Sequence, residues 1–224
     1  MSESELRAFY YEVYRLAQHS VEGIALFTAV QNWFKTDAWT KDFSNAVTNE
    51  DLLRVIAMTS RRAGIVTLNI LCDDGGQGRR GCTIYKLLRR IEAAKGLSTE
   101  KMRGAIDKHG PTIGKIRLLR NNNDAHYNED KGWEKGLGEG LNSQGVNNLL
   151  RAVFAALLSC GKTLNIHPMP FECIFKITFA YGERLIHSLG EQVHADKVGP
   201  KFQSVREWED QDRSEQLSEE EGVS

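Results

Sequence analysis

The run Arg120-Asn121-Asn122-Asn123-Asp124-Ala125-His126 gathers the groups of this chain best suited to phosphate chemistry. Arg is a permanent cation with a forked donor, and His titrates near neutral pH. The run follows an apolar helical stretch, Ile113 to Leu119, yet three consecutive Asn are poor helix material, because each side chain competes for the backbone's own hydrogen bonds. Against Ala the cost reaches ~0.7 kcal/mol per position, or roughly 2 kcal/mol together. A local rule broken without visible gain often marks a functional site. A polar helix end, with Arg120 paired to Asp124 at i,i+4 and His126 exposed, accounts for the same residues.

The elements that would position this cluster read as helices. Leu6, Phe9, Tyr10, Val13 and Ala17 share one face, and the pattern extends through Val21, Ile24, Phe27 and Val30 to about Phe34. Residues 49–72 repeat with Leu52, Ile56, Thr59, Ala63, Val66 and Ile70, Asn49 serving as N-cap. Asp73-Asp74-Gly75-Gly76-Gln77-Gly78 ends that helix in a loop. Ile84, Leu87, Leu88 and Ile91 mark the next, which stops near Gly96. A short helix starts at Ser98-Thr99-Glu100 and runs to about His109. Thr112 is a candidate cap for the helix that leads into the polar cluster. After a stretch rich in Gly (Gly132, Gly136, Gly138, Gly140), Leu149, Leu150, Val153, Phe154, Leu157 and Leu158 give a helix with a wide apolar face, suited to a central position. The last long helix spans Phe171 to Val193. No strand-type alternation and no internal repeat appears, so the expected fold is all-α, an up-and-down helical bundle over residues 1–195, followed by a flexible acidic tail over 196–224.

A chain of 224 residues can bury a core without staples. The four Cys lie far apart with no Cys-x2-Cys pair, which removes zinc-finger and redox-motif readings and leaves reduced, mostly buried thiols. The acidic Met1-Ser-Glu-Ser-Glu start and the lack of a long apolar run point to a cytoplasmic protein with no membrane partner. The net charge of −1 conceals an asymmetry: residues 206–224 sum to −6 and residues 1–205 to +5. Within residues 83–120, ten bases (Lys86, Arg89, Arg90, Lys95, Lys101, Arg103, Lys108, Lys115, Arg117, Arg120) face three acids, a local +7. This is either a solvated helix face or a polyanion footprint.

Other apparent motifs fail on spacing. Gly161-Lys162-Thr163 ends like a phosphate-binding P-loop, but Ala156 stands where that loop requires Gly, and a helix rather than a strand precedes it. Gly161 reads better as a helix C-cap. Gly75-Gly76-Gln77-Gly78 lacks the strand and spacing of a dinucleotide fingerprint. Cys160 has no His at a fixed local spacing and reads as a buried thiol. His187 and His194 share a helix face without a third ligand, so no metal site and no cofactor is expected.

In a regular helix Arg120 and His126 stand about 120° apart around the axis and about 9 Å apart along it. They converge only if the helix ends or distorts, or if a second copy completes the site across a two-fold axis. The string Ile116-Arg117-Leu118-Leu119-Arg120-Asn121-Asn122-Asn123-Asp124-Ala125-His126 resembles the Arg-x4-6-His signature of the HEPN superfamily, in particular its AbiU-like abortive-infection branch. Arg61 to Asp74 resembles the long helix, ending in an acid, that precedes the motif helix in that family. The likeness covers residues 5–190 in architecture and about a dozen residues in motif. It departs at Asn128, where relatives often have Asp, and at Tyr127, which follows the His directly rather than two positions later.

The resemblance implies a metal-independent endoribonuclease of a toxin–antitoxin or antiviral defence system, dimeric, with its motifs facing each other. Its partners would be an RNA substrate, a second copy and an antitoxin or other defence-system protein. His126 would move the 2′-hydroxyl proton, and Arg120 would hold the phosphate. Asn121 and Asp124 would orient or assist them, and Lys115, Arg117, Asn122, Asn123 and Tyr127 would bind RNA. The products would be 2′,3′-cyclic phosphate ends. The alternative is a HEPN-like bundle that binds nucleic acid or a partner without cutting.

Overall fold

A computed structural model describes residues 1–34, 47–73, 81–119, 141 and 143–195. All regular structure among them is helical: α1 (Glu3–Phe34), α2 (Val47–Leu71), α3 (Ile84–Lys95), α4 (Glu100–Asp107), α5 (Gly110–Leu119), α6 (Ser143–Thr163) and α7 (Phe171–Ala195). The chain divides into a compact unit, Met1–Ile186, and a second from His187 to Ser224, of which the described part is helical backbone to Ala195. The Gly-rich stretch, the Asp74–Gly78 loop and the acidic tail expected from the sequence lie outside the described residues.

The spine of the first unit is α1, one continuous helix of 32 residues. It opens with a capping box: the Glu5 N–H donates to Ser2 Oγ at 3.2 Å, and the Ser2 N–H donates to Glu5 Oε2 at 2.7 Å. Leu6, Tyr10, Val13, Ala17, Val21, Ile24 and Val30 are buried along one stripe. Phe9 and Phe27, on its edges, are covered by guanidinium groups: Arg90 at 3.7 Å from one ring centroid and Arg61 at 5.2 Å from the other. Residue pairings show that α2, α3 and α6 run antiparallel to α1. Phe27 meets Arg61, Glu3 meets Lys95, and Tyr10 meets Leu157.

The α1–α2 crossing is set by backbone contact. A Cβ on Gly23 would press on the Ser60 carbonyl and lie 2.8 Å from the Gly64 nitrogen, and one on Gly64 would lie 3.0 Å from the Ser20 carbonyl oxygen. This crossing rotates α2 by about one residue from its expected face. The residues turned inward are Leu53, Ala57, Gly64, Leu68 and Leu71, not the series led by Ile56, Thr59, Ala63, Val66 and Ile70. Thr59 and Ala63 are exposed, and Ile70 is 37% exposed. The small residues that make the crossing carry little hydropathy, so apolar periodicity does not see them. Asn49 lies within the first turn of α2, which begins at Val47, and is not its N-cap.

The wide apolar face expected of α6 is present. Leu149, Leu150, Val153, Phe154, Leu157 and Cys160 are all buried, each large side chain worth about 1.5–3 kcal/mol. Gly161 is not the C-cap. The helix continues to Thr163 and ends in a Schellman motif whose left-handed residue is Asn165, at φ 53°. The Ile166 N–H donates to Gly161 O at 2.8 Å, and the Asn165 N–H to Lys162 O at 3.2 Å. Gly161 is required for space: a Cβ there would sit 2.9 Å from Pro168 Cδ and 3.0 Å from Tyr10 Oη. Tyr14 then clasps the connection to α7, its hydroxyl donating to Met169 O at 3.2 Å and accepting from the Met169 N–H at 3.1 Å.

Candidate nucleic-acid interface

The helix that leads into the polar cluster is short. Thr83 caps α3, its Oγ1 accepting from the Lys86 N–H at 3.2 Å, and Gly96 closes it at φ 65°. The Tyr85 hydroxyl donates to Asp107 Oδ1 at 2.7 Å and ties α3 to the end of α4. A two-residue turn, Lys108-His109, leads into α5, which begins at Gly110, so Thr112 lies inside the helix and is not its cap. Ile113 and Ile116 anchor α5 in the core. Lys115, Arg117 and Leu118 are exposed on its other faces, and the helix is described as far as Leu119.

Arg120, Asn121, Asn122, Asn123, Asp124, His126 and Tyr127 lie outside the described residues. Of the residues assigned to RNA chemistry, the structure places Lys115 and Arg117, both on α5. Arg117 reaches back to the last turn of α2, where its Nη2 stands 3.9 Å from Asp73 Oδ1. The pair is accessible, with side-chain exposures of 44% and 22%. Beneath it sits Cys72, whose thiol is pushed up to about 12 by burial, an effect the nearby Arg117 opposes. One turn before Asp73 on α2 is Asn69, buried at 3% exposure. Its Oδ1 has no hydrogen-bond partner. Asn69 was not legible as a buried, unpartnered amide. The available signal was an amide side chain set between Leu68 and Leu71 on an apolar helix.

The local charge of +7 has two parts. Several of these bases are used internally. Arg90 lies over Phe9, Lys95 Nζ donates to Glu3 Oε2 at 3.1 Å, and Arg103 pairs with Glu92. The Lys95 ammonium, followed by Arg7, holds the Glu3 carboxyl below its usual range. Arg89, Lys101 and Lys108 are exposed and make no ion pair among the described residues. Lys115 and Arg117, on α5, are exposed as well.

All four cysteines are free; Cys72 and Cys160 are buried and Cys173 is exposed. Burial pushes the Cys160 thiol up to about 12, so it supplies no thiolate nucleophile near neutral pH. Among the described residues no group of three or more His, Cys, Asp or Glu is placed to hold a metal ion, and no helix is long and apolar enough to cross a membrane. Comparison with protein-family models, curated proteins and solved structures finds no match to this chain.

Proposed function

We propose that this chain is a metal-independent endoribonuclease of a toxin or abortive-infection type, with Arg120 and His126 as its reactive pair. One observation carries the reading. The short helix α5 carries exposed Lys115 and brings Arg117 beside Asp73 at the end of α2, and Arg120 is the next residue after its last described turn. RNA carries its own nucleophile, the 2′-hydroxyl. His126 takes that proton or returns one to the leaving oxygen, for about 10²–10⁴-fold. Arg120 stabilises charge on the phosphate, Asn121 donates to a phosphate oxygen or orients the imidazole, and Asp124 fixes the His or the Arg. Asn122, Asn123 and Tyr127 extend the RNA contact. The test is RNA cleavage in excess chelator: wild type yields 2′,3′-cyclic phosphate ends, and His126→Ala does not. Equal cleavage by both removes His126 from the mechanism. If the site is shared across a homodimer, mixing Arg120→Ala with His126→Ala protomers restores cleavage, because one composite site survives.

The second reading is a HEPN-like bundle that binds nucleic acid without cutting it. Arg89, Lys101 and Lys108, exposed and without ion pairs among the described residues, favour it. Salt-dependent RNA binding with intact substrate is its signature.

A further inference from the structure

A surface helix keeps its apolar side chains on the face it buries, and a single exposed one means little. On α7 they continue onto the outer face. Gly182 and Ile186 are buried, and a Cβ on Gly182 would lie 2.8 Å from Ala29 Cβ, so that side of α7 is packed against α1. Roughly 140–180° around the helix from Gly182 stand Cys173, Ile177, Ala180 and Arg184, all exposed, with Tyr181 and Leu185 along one edge. Ile177 is 47% exposed, Tyr181 66% and Leu185 44%, which leaves three large apolar side chains in solvent on neighbouring turns.

Spacing and charge indicate what covers them. Cys173, Ile177, Ala180 and Arg184 follow steps of four, three and four, the repeat with which one helix packs along another. Lys176 and Glu183 flank this seam on one side. Both are exposed, and neither makes an ion pair among the described residues. When one surface meets itself about a two-fold axis perpendicular to the helix, the two helices run antiparallel and like flanks face each other. An axis midway between Ile177 and Ala180 sets Ile177 against the partner's Ala180, whose small side chain permits close approach. In the same register Lys176 meets the partner's Glu183, and Glu183 meets the partner's Lys176. A parallel pairing sets neither charge opposite its complement. The face is thus self-complementary in size and in charge, as an isologous contact requires.

We propose that a second copy of this chain covers the outer face of α7, with the two helices antiparallel. Ile177 and Tyr181 are the apolar anchors, and two Lys176–Glu183 pairs fix the register. Arg184 lies at each end of the seam against the partner's Cys173, where its long chain reaches water. The contact runs about 18 Å along one helix and falls short of the roughly 1,200–2,000 Å² buried in a stable complex, so the dimer is reversible and concentration-dependent. None of these residues is assigned a part in RNA chemistry, and association is read without nucleic acid, so this dimer stands or falls apart from that reading.

Sedimentation velocity of the full chain over a dilution series tests it, in reducing buffer so that Cys173 forms no disulfide, with circular dichroism to confirm the fold. Wild type passes from monomer to dimer as concentration rises. Ile177→Lys stays monomeric with unchanged helical content. Lys176→Glu and Glu183→Lys each weaken association about tenfold, since two attractive pairs become two repulsive ones. The double exchange of Lys176→Glu with Glu183→Lys restores the dimer. Mixing the two single variants restores it as well, because each protomer then offers the charges that the other lacks. Restoration by mixing is particular to the antiparallel register.

A wild type that is monomeric at every concentration overturns the proposal and leaves the face to a different protein. A dimer that Ile177→Lys does not weaken overturns it too, since the copies then meet elsewhere. Weakening in both single charge variants, with no rescue by the double exchange or by mixing, overturns the antiparallel register and the proposal with it.

Discussion

Two parts of the bundle use their polar side chains differently. Where α1 meets α6 and the start of α7, the Tyr10 and Tyr14 hydroxyls are spoken for. Tyr10 donates to Leu157 O at 3.1 Å, and Tyr14 both donates to and accepts from the Met169 backbone. Packing there is close enough that Gly161 has no room for a methyl group. Where α2 meets α5, Asn69 Oδ1 is buried and unsatisfied, and Arg117 approaches Asp73 only at the outer limit of an ion pair. The first region reads as structure, completed within the chain. The second carries a cost that the fold does not relieve, in the place from which the chain enters its polar cluster. Charge alone is a poor guide to either region, since several bases of the basic stretch are consumed internally.

The contrast can be broken by substitution. The largest effect is expected for Gly23→Val, which drives a branched side chain into the Ser60–Gly64 backbone. It should cost about 3 kcal/mol in denaturant-induced unfolding, the upper range for overpacking. Next comes alkaline pH. Cys72 and Cys160 have folded-state values near 12 against an ordinary 9.0, so the folded state stays neutral where the unfolded thiols ionise. Their contribution is fully present below about pH 9 and is lost as pH rises towards 12, visible as a falling Tm over that window. Tyr10→Phe removes a satisfied hydrogen bond and should cost about 1 kcal/mol. Asn69→Leu should move stability the other way or leave it unchanged. A loss as large as that of Tyr10→Phe would make the two regions alike. The smallest effect belongs to Arg117→Gln. Its exposed pair with Asp73 should contribute under about 0.5 kcal/mol, so a larger loss in chemical denaturation would assign Arg117 to the framework.

The sequence carried the long elements well. The faces of α1 and α6 are apolar at helical spacing, and the tertiary packing uses them as written. The phase of α2 was misread because the contact is made by Ser60 and Gly64 against Gly23, residues whose value lies in their smallness. Gly161 was misplaced for a related reason: its requirement comes from Pro168 and Tyr10, distant in sequence, and Asn165 supplies the left-handed turn. The reading of the polar cluster rests on residue type, since its residues lie outside those described. Asn69 was not legible, since nothing local says whether an amide has found a partner. Nor could spacing show that Asp73 and Arg117 are neighbours, because a helix pair and two turns lie between them.

The long first helix has one more consequence. Tyr10 finds its acceptor 147 positions later, and Tyr14 waits for Met169. During synthesis the apolar stripe of α1 therefore emerges early, and its N-terminal half must wait for α6 to close over it. Until then α2 and α3 give only part of its cover. The nascent polypeptide should be vulnerable to aggregation in that interval and a natural client for holding chaperones, with its decisive folding step late and governed by long-range closure.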